Sequence, residues 1–131
     1  MPADLWLCAP GRMHAWLGRG RPMLWNRRET PAALVGRPEG RVDESNWSDF
    51  AGHLASAIAD AAGRRLIVDL GGVDYMSSRG LRALSTALAA AKKAGVVMAL
   101  AAPGPAMREI LAISRYDKLF VVHASVETAL D

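Results

Sequence analysis

The stretch R65-L-I-V-D-L-G-G-V-D-Y-M-S-S-R-G-L-R82 begins as a strand and ends as a helix. Arg65–Leu70 is a run of strand length with the apolar centre Leu66–Val68, as expected of a central strand covered on both faces. Gly71 and Gly72 open a short turn. Ser77 and Ser78 then stand ahead of a segment in which Leu81, Leu84, Leu88 and Ala91 recur at helical spacing, closed by Lys92, Lys93 and Gly95 as helix C-termini favour.

The flanking sequence repeats this alternation. M23-L-W-N-R-R-E, a Thr-Pro turn and A32-A-L-V-G-R read as two short strands forming a hairpin, with Pro38 and Gly40 distorting the second strand near its end. Between Ser45 and Gly63, Trp47, Phe50, Leu54, Ala57, Ile58 and Ala61 share one helical face, with Ser45 or Asn46 able to cap and Gly63 to stop the helix. V96-V-M-A-L-A reads as another buried strand, A106-M-R-E-I-L-A-I as a short helix opened by Pro105, L119-F-V-V as a last strand and S125-V-E-T-A-L as a final helical turn or two. The expectation is an α/β domain: a mixed, mostly parallel sheet of about four to five strands packed by helices, with the N-terminal hairpin strand at its edge. In such sheets functional groups collect past the carboxyl ends of strands, where Ser77 and Ser78 fall.

Composition sets the bounds. The chain has 131 residues, 51% of them hydrophobic, which suits one domain with a real core. The pattern predicts that domain over 23–131. Residues 1–22 mix Pro, Gly, Arg and Trp without periodicity and read as a flexible or loosely docked extension, with Trp6 and Trp16 available for packing. The formal net charge is +3, but residues 1–22 hold Arg12, Arg19 and Arg21 against Asp4, so the domain itself is nearly neutral. Without a basic face carrying aromatic or groove-reading elements, nucleic-acid binding is not expected. The single Cys8 rules out an internal disulfide framework, no apolar run reaches membrane-spanning length, and the N-terminus lacks a secretory pattern. A cytoplasmic protein with no membrane partner is the simplest reading.

Candidate chemistry can then be weighed. A serine ahead of a helix is ordinarily a cap, its oxygen satisfying an orphan N–H of the first turn. Met76 stands where a nucleophile elbow around Ser78 requires glycine, and Gly71-Gly72 leads to neither a phosphate-cradling loop nor a dinucleotide fingerprint. His14, His53 and His123 sit in no short metal-ligand motif. Asp43 and Asp69 each end a predicted strand, with no activated base specified beside either. No catalytic residue, metal site or cofactor is expected.

The residues V68-D-L-G-G-V-D-Y-M-S-S-R-G-L-R-A-L, preceded by P38-E-G-R-V-D-E-S-N and followed by G95-V-V-M-A-L-A-A-P and V126-E-T-A-L, resemble the STAS domain of bacterial anti-sigma factor antagonists. The resemblance runs from about Met23 to the C-terminus. It implies a non-enzymatic switch protein: a serine in this motif is phosphorylated by an anti-sigma factor that is also a serine kinase, a cognate phosphatase can reverse it, and the unphosphorylated form binds the kinase so that the sigma factor is released. Carried onto this chain, Ser78 is the acceptor, Ser77 holds a position often occupied by Asp and remains the alternative acceptor, and Gly80 is the helix-start glycine. Asp43 matches the acidic residue of the Gly-x-x-Asp element beside the serine. Arg79 stands where relatives usually carry Ser or Ala; it and Ser77 in place of Asp both make a phosphate easier to hold, and Arg79 and Arg82 lie within a turn of Ser78. Asp43, Asn46, Ser77, Arg79, Gly80 and Arg82 are thus the expected partner-binding residues. The same domain also serves as an accessory subunit of ABC-type lipid or solute transport complexes, or as a structural module of a signalling assembly, and these are the alternative functions.

Overall fold

The structure, a computed structural model, describes residues 23–130. The expectations for residues 1–22, including Trp6, Cys8, His14 and Trp16, lie outside the described residues. The hairpin forms as β1 (Leu24–Glu29) and β2 (Ala33–Val42), paired antiparallel from Leu24↔Glu39 to Glu29↔Leu34. Then follow α1 (Trp47–Asp60), β3 (Arg65–Asp69), β4 (Gly72–Met76), α2 (Ser78–Lys93), β5 (Val97–Ala101), α3 (Pro105–Ser114), α4 (Tyr116–Leu119), β6 (Val122–His123) and α5 (Val126–Leu130). The six-stranded mixed sheet runs β1-β2-β3-β5-β6, with β1 at one edge and β4 paired to β2. Every pairing after the hairpin is parallel.

Alternation along the strands divides the core. Leu34, Leu66, Val68, Met98 and Leu100 face a large cluster completed by Phe50, Leu54 and Ile58 of α1, Leu81, Leu84 and Leu88 of α2, and Met107 and Leu111 of α3. Their neighbours Val35, Ile67, Ala99 and Ala101 face a smaller cluster with Val126 and Ala129 of α5. The central strand β3 is therefore covered on both faces, as the apolar run Leu66–Val68 at its centre requires. No helix among the described residues is long and apolar enough to cross a membrane.

Three local expectations are corrected. Residues 72–76, read as a turn, form β4, which continues beside β2 where β3 leaves off: β3 pairs with Ala33–Gly36 and β4 with Glu39–Val42. Its strand periodicity is hidden because the register slips between Gly40 and Arg41, a bulge at which Gly40 takes φ +96. The last strand is shorter than L119-F-V-V: Leu119 ends the single-turn α4, which follows Arg115 at φ +65, and only Val122 and His123 pair with β5. Finally, neither Ser45 nor Asn46 caps α1 through its side chain. Asn46 occupies the N-cap position without a capping hydrogen bond, because its amide is engaged by the preceding loop.

Candidate functional site

The carboxyl ends of β2 and β4 lie side by side, and α2 starts from them. The Ser77 N–H donates to the carbonyl of Val42 at 2.8 Å, tying the helix entrance to the end of β2. Ser77 is the N-cap: its carbonyl accepts from Leu81 N–H at 2.9 Å and its Oγ accepts from Gly80 N–H at 3.3 Å. The side chain is buried, with 8% of the residue exposed. Ser78, the first residue of α2, is exposed. Two adjacent serines thus stand in opposite environments: one hydroxyl closes a backbone turn, the other faces solvent at the positive end of a 16-residue helix.

Gly80 sets how closely the helix seats. A Cβ there would lie 2.6 Å from Met76 Cγ and 2.8 Å from Val42 Cγ1, so its lack of a side chain lets α2 rest on the strand ends. Gly80 is buried, and its expected part in partner binding becomes one of placement.

The loop after β2 forms the neighbouring wall. Asp43 Oδ1 accepts from the Ser45 N–H at 2.9 Å and the Ser45 hydroxyl at 2.6 Å, while Oδ2 accepts from Arg41 Nε at 3.1 Å. The Ser45 hydroxyl and N–H, with Arg41 contributing less, hold the Asp43 carboxyl below its ordinary value of 3.8. Asn46 closes the loop from the other side: its Oδ1 accepts from Asp43 N–H at 2.9 Å and its Nδ2 donates to the Arg41 carbonyl at 2.9 Å. Asp43 and Asn46 therefore shape one another's loop.

The two arginines separate in role. Arg79 reaches back to the loop, pairing through Nε with Glu44 Oε1 at 3.2 Å and lying over the Trp47 ring at 5.6 Å. Arg82 is exposed and sits one turn beyond Ser78 on the same face, where helical side chains at i and i+4 meet. Between α1 and α2 runs an open apolar groove lined by Trp47, Ala51, Ala55, Ala83 and Ala87, with Arg79 and Arg82 at its mouth. The structure thus brings Asp43, Asn46, Ser77, Ser78, Arg79, Gly80 and Arg82 to one end of the domain. Glu44, Trp47 and this groove were not expected there. Their sequence signal is alanines on facing sides of two helices, which reads equally as close helix packing.

Asp69 belongs to a separate structural network. Its Oδ2 accepts from Arg37 Nη1 at 2.8 Å and its Oδ1 from Gly71 N–H at 2.9 Å, while Arg37 Nε donates to Glu39 Oε2 at 2.9 Å. Burial pulls the Arg37 guanidinium toward deprotonation, but these carboxylates outweigh it and raise its pKa. The network bridges the gap between β3 and β4.

The chain matches the STAS domain family over residues 25–129. It is 31% identical over 96 residues to BtrV of Bordetella bronchiseptica, a protein assigned by name to the anti-sigma factor antagonists, covering 73% of this chain and 82% of that one. Among solved structures it is similar to an anti-sigma factor antagonist from Mycobacterium paratuberculosis, with a TM-score of 0.75, 22% identity, and 95% and 96% of the two chains covered. It is also similar to the anti-sigma factor antagonist SpoIIAA in its unphosphorylated form, with a TM-score of 0.67, 19% identity, and 82% and 93% covered. A second SpoIIAA structure, from Bacillus and in the phosphorylated form, gives a TM-score of 0.61 at 20% identity, with 82% and 96% covered. At these identities the solved structures speak to the fold, while the family match spans nearly the whole described chain. The protein belongs to the STAS domain family, in which anti-sigma factor antagonist function is supported at the level of the family.

Proposed function

We propose that this chain is an anti-sigma factor antagonist, a binding protein rather than a catalyst, switched by phosphorylation of Ser78. Its partner on this reading is an anti-sigma factor that is also a serine kinase, and a cognate phosphatase resets the switch. The observation that carries the reading is the contrast at the entrance of α2: Ser78 is exposed at the first helical position, whereas Ser77 is buried and bonded to Gly80 N–H. A kinase must reach the hydroxyl it modifies, and only one of the two is open to solvent.

The site also accommodates the product. A phosphate on Ser78 adds roughly −1.5 to −2 charges at a helix N-terminus, where the dipole and free N–H groups favour an anion. Arg82, one turn on, can donate to it. Arg79, already held by Glu44 and Trp47, contributes instead to the docking surface formed by the Asp43–Asn46 loop, the mouth of the α1–α2 groove and the exposed face of α2. A partner fitted to a neutral hydroxyl must desolvate or repel the phosphate, and a penalty of about 3 kcal/mol lowers affinity about a hundredfold.

The test is incubation with the cognate kinase and ATP, followed by localisation of the phosphate by mass spectrometry. Wild type and Ser77→Ala are expected to be modified at residue 78, and Ser78→Ala to remain unmodified. Modification that persists in Ser78→Ala but vanishes in Ser77→Ala would overturn the assignment.

A further inference from the structure

The end of the domain opposite Ser78 carries a second surface. α2 runs 16 residues from Ser78 to Lys93, about 24 Å, and its far end borders a groove lined by Lys92, Val97, Met98, Leu119 and Val121 among others. Val97, Leu119 and Val121 are 63%, 50% and 63% exposed. Single exposed aliphatics are ordinary on a protein surface, but three converging on one groove mark a place that is covered in use.

The backbone beside them lacks a paired strand as well. β5 pairs along its whole length with β3, from Arg65↔Val97 to Asp69↔Ala101. On its other edge β6 reaches only Leu100 and Ala101. There the Leu100 N–H donates to the Val121 carbonyl and the Ala102 N–H to the His123 carbonyl, each at 2.9 Å. Strand alternation directs the N–H and C=O of Met98 to this same edge. In line with Met98 stands Phe120, buried and extended as the chain leaves α4, but its N–H is turned back to the Tyr116 carbonyl and β6 pairing does not reach it. The first half of β5 therefore presents a strand edge with no strand next to it among the described residues.

Charge identifies what fits. Lys92 lines the groove and Lys93 follows it in the last turn of α2. None of the ion pairs among the described residues involves a lysine. We propose that this groove binds an extended, acidic segment of a partner protein. The segment adds a short strand to the open edge of β5, lays alternate aliphatic side chains on Val97, Leu119 and Val121, and sets its carboxylates against Lys92 and Lys93. The chain's own residues 1–22 have the wrong sign, with Arg12, Arg19 and Arg21 against Asp4. A second copy would bring the same lysines together, and a lipid surface would leave the Met98 N–H and C=O without a partner. Because the groove lies a helix length from Ser78, a partner here and one at the phosphorylation site can be held together.

The experiment is amide NMR on the isotopically labelled full chain, titrated with a short synthetic peptide alternating valine with glutamate. A valine–lysine peptide of the same length and anionic phosphatidylglycerol vesicles serve as comparisons. With the glutamate peptide, the Val97 and Met98 amide signals are expected to move and exchange at Met98 to slow, with little change from either comparison. Lys92→Glu combined with Lys93→Glu, both at exposed positions, is expected to weaken the peptide about tenfold. Four outcomes would overturn the proposal: no movement at Met98 with the glutamate peptide; equal movement with the lysine peptide or the vesicles; a Met98 amide already protected in the dilute free chain, which means the chain itself covers the edge; or protection that grows with protein concentration alongside a dimer in sedimentation, which means a second copy does.

Discussion

Ser77 closes the first turn of α2 through Gly80 N–H and is buried, whereas Ser78 points outward from the same turn. Ser77→Ala should therefore destabilise the domain by about 1 kcal/mol, the usual worth of a cap, and Ser78→Ala should stay within about 0.5 kcal/mol of wild type. Urea unfolding curves check both, and equal losses would contradict the division between the two hydroxyls. Gly80→Ala is the more severe change: a Cβ 2.8 Å from the branched Val42 side chain and 2.6 Å from Met76 Cγ must displace α2, at a cost of about 1–3 kcal/mol. Asp43 carries a pH signature. Its carboxyl is held below 3.8 first by the Ser45 hydroxyl, then by the Ser45 N–H and Arg41. The folded-state value lies below that of the unfolded chain, so its contribution to stability is fully present above about pH 4 and is lost as pH falls through the depressed value. The Asp43 midpoint followed by NMR should lie below 3.8 and move back toward it in Ser45→Ala.

At the level of strands and helices, the sheet holds together across a discontinuity. β3 and β4 lie end to end along β2, and the Arg37–Asp69 ion pair at 2.8 Å, with Gly71 N–H on the same carboxylate, spans the break. The Asp69 side chain is 9% exposed. Asp69→Ala leaves a half-buried guanidinium and a backbone N–H without their shared acceptor, so a loss of about 2–3 kcal/mol is expected in urea unfolding. A loss below 0.5 kcal/mol would show that the joint is held by the backbone ladder alone. The same break explains why β4 was hidden in the sequence. Gly71 and Gly72 end the apolar run, and the bulge, which passes from Gly40↔Val73 to Arg41↔Tyr75 and leaves Asp74 without a partner on β2, breaks the alternation that would otherwise mark a strand. In contrast, the helical faces of α1 and α2 were plain, since Phe50, Leu54, Ile58, Leu81, Leu84 and Leu88 all pack against one side of a single sheet. Where an element is long and packs on one face, periodicity survives into the sequence.

For the molecule as a whole, the phosphorylation reading predicts a switch at a surface rather than in the fold. A phosphate at the start of α2 meets a favourable dipole and Arg82, so phosphorylated and unphosphorylated forms should melt within a few degrees of one another, while kinase affinity falls about a hundredfold. Calorimetry on the two forms and a binding titration separate these effects. A large fall in melting temperature on phosphorylation would mean that the switch works by loosening the domain. A chain beginning at Met23 is likewise expected to melt close to the full-length protein, because Met23 already belongs to the core and the apolar pattern starts there. A fall of several degrees would instead place Trp6 or Trp16 against the domain.

Much of this architecture was legible along the chain because it depends on local order. Alternating strand and helix patterns, a central strand with an apolar centre, and a serine pair between strand and helix carry the α/β class, the hairpin edge and the position of the candidate site. That Ser77 is buried while Ser78 is exposed depends on packing: Val42 and Gly80 come from different segments, and Ser77 is tied to both, through its N–H to the Val42 carbonyl and its Oγ to the Gly80 N–H. The separation of Arg79 from Arg82 likewise depended on Glu44 and Trp47 being folded against α2. The open edge of β5 had no sequence signal at all, because it arises from where β6 stops beside it. Periodicity records which face of an element is buried, whereas the partner across a contact is set by chain segments that meet only after folding.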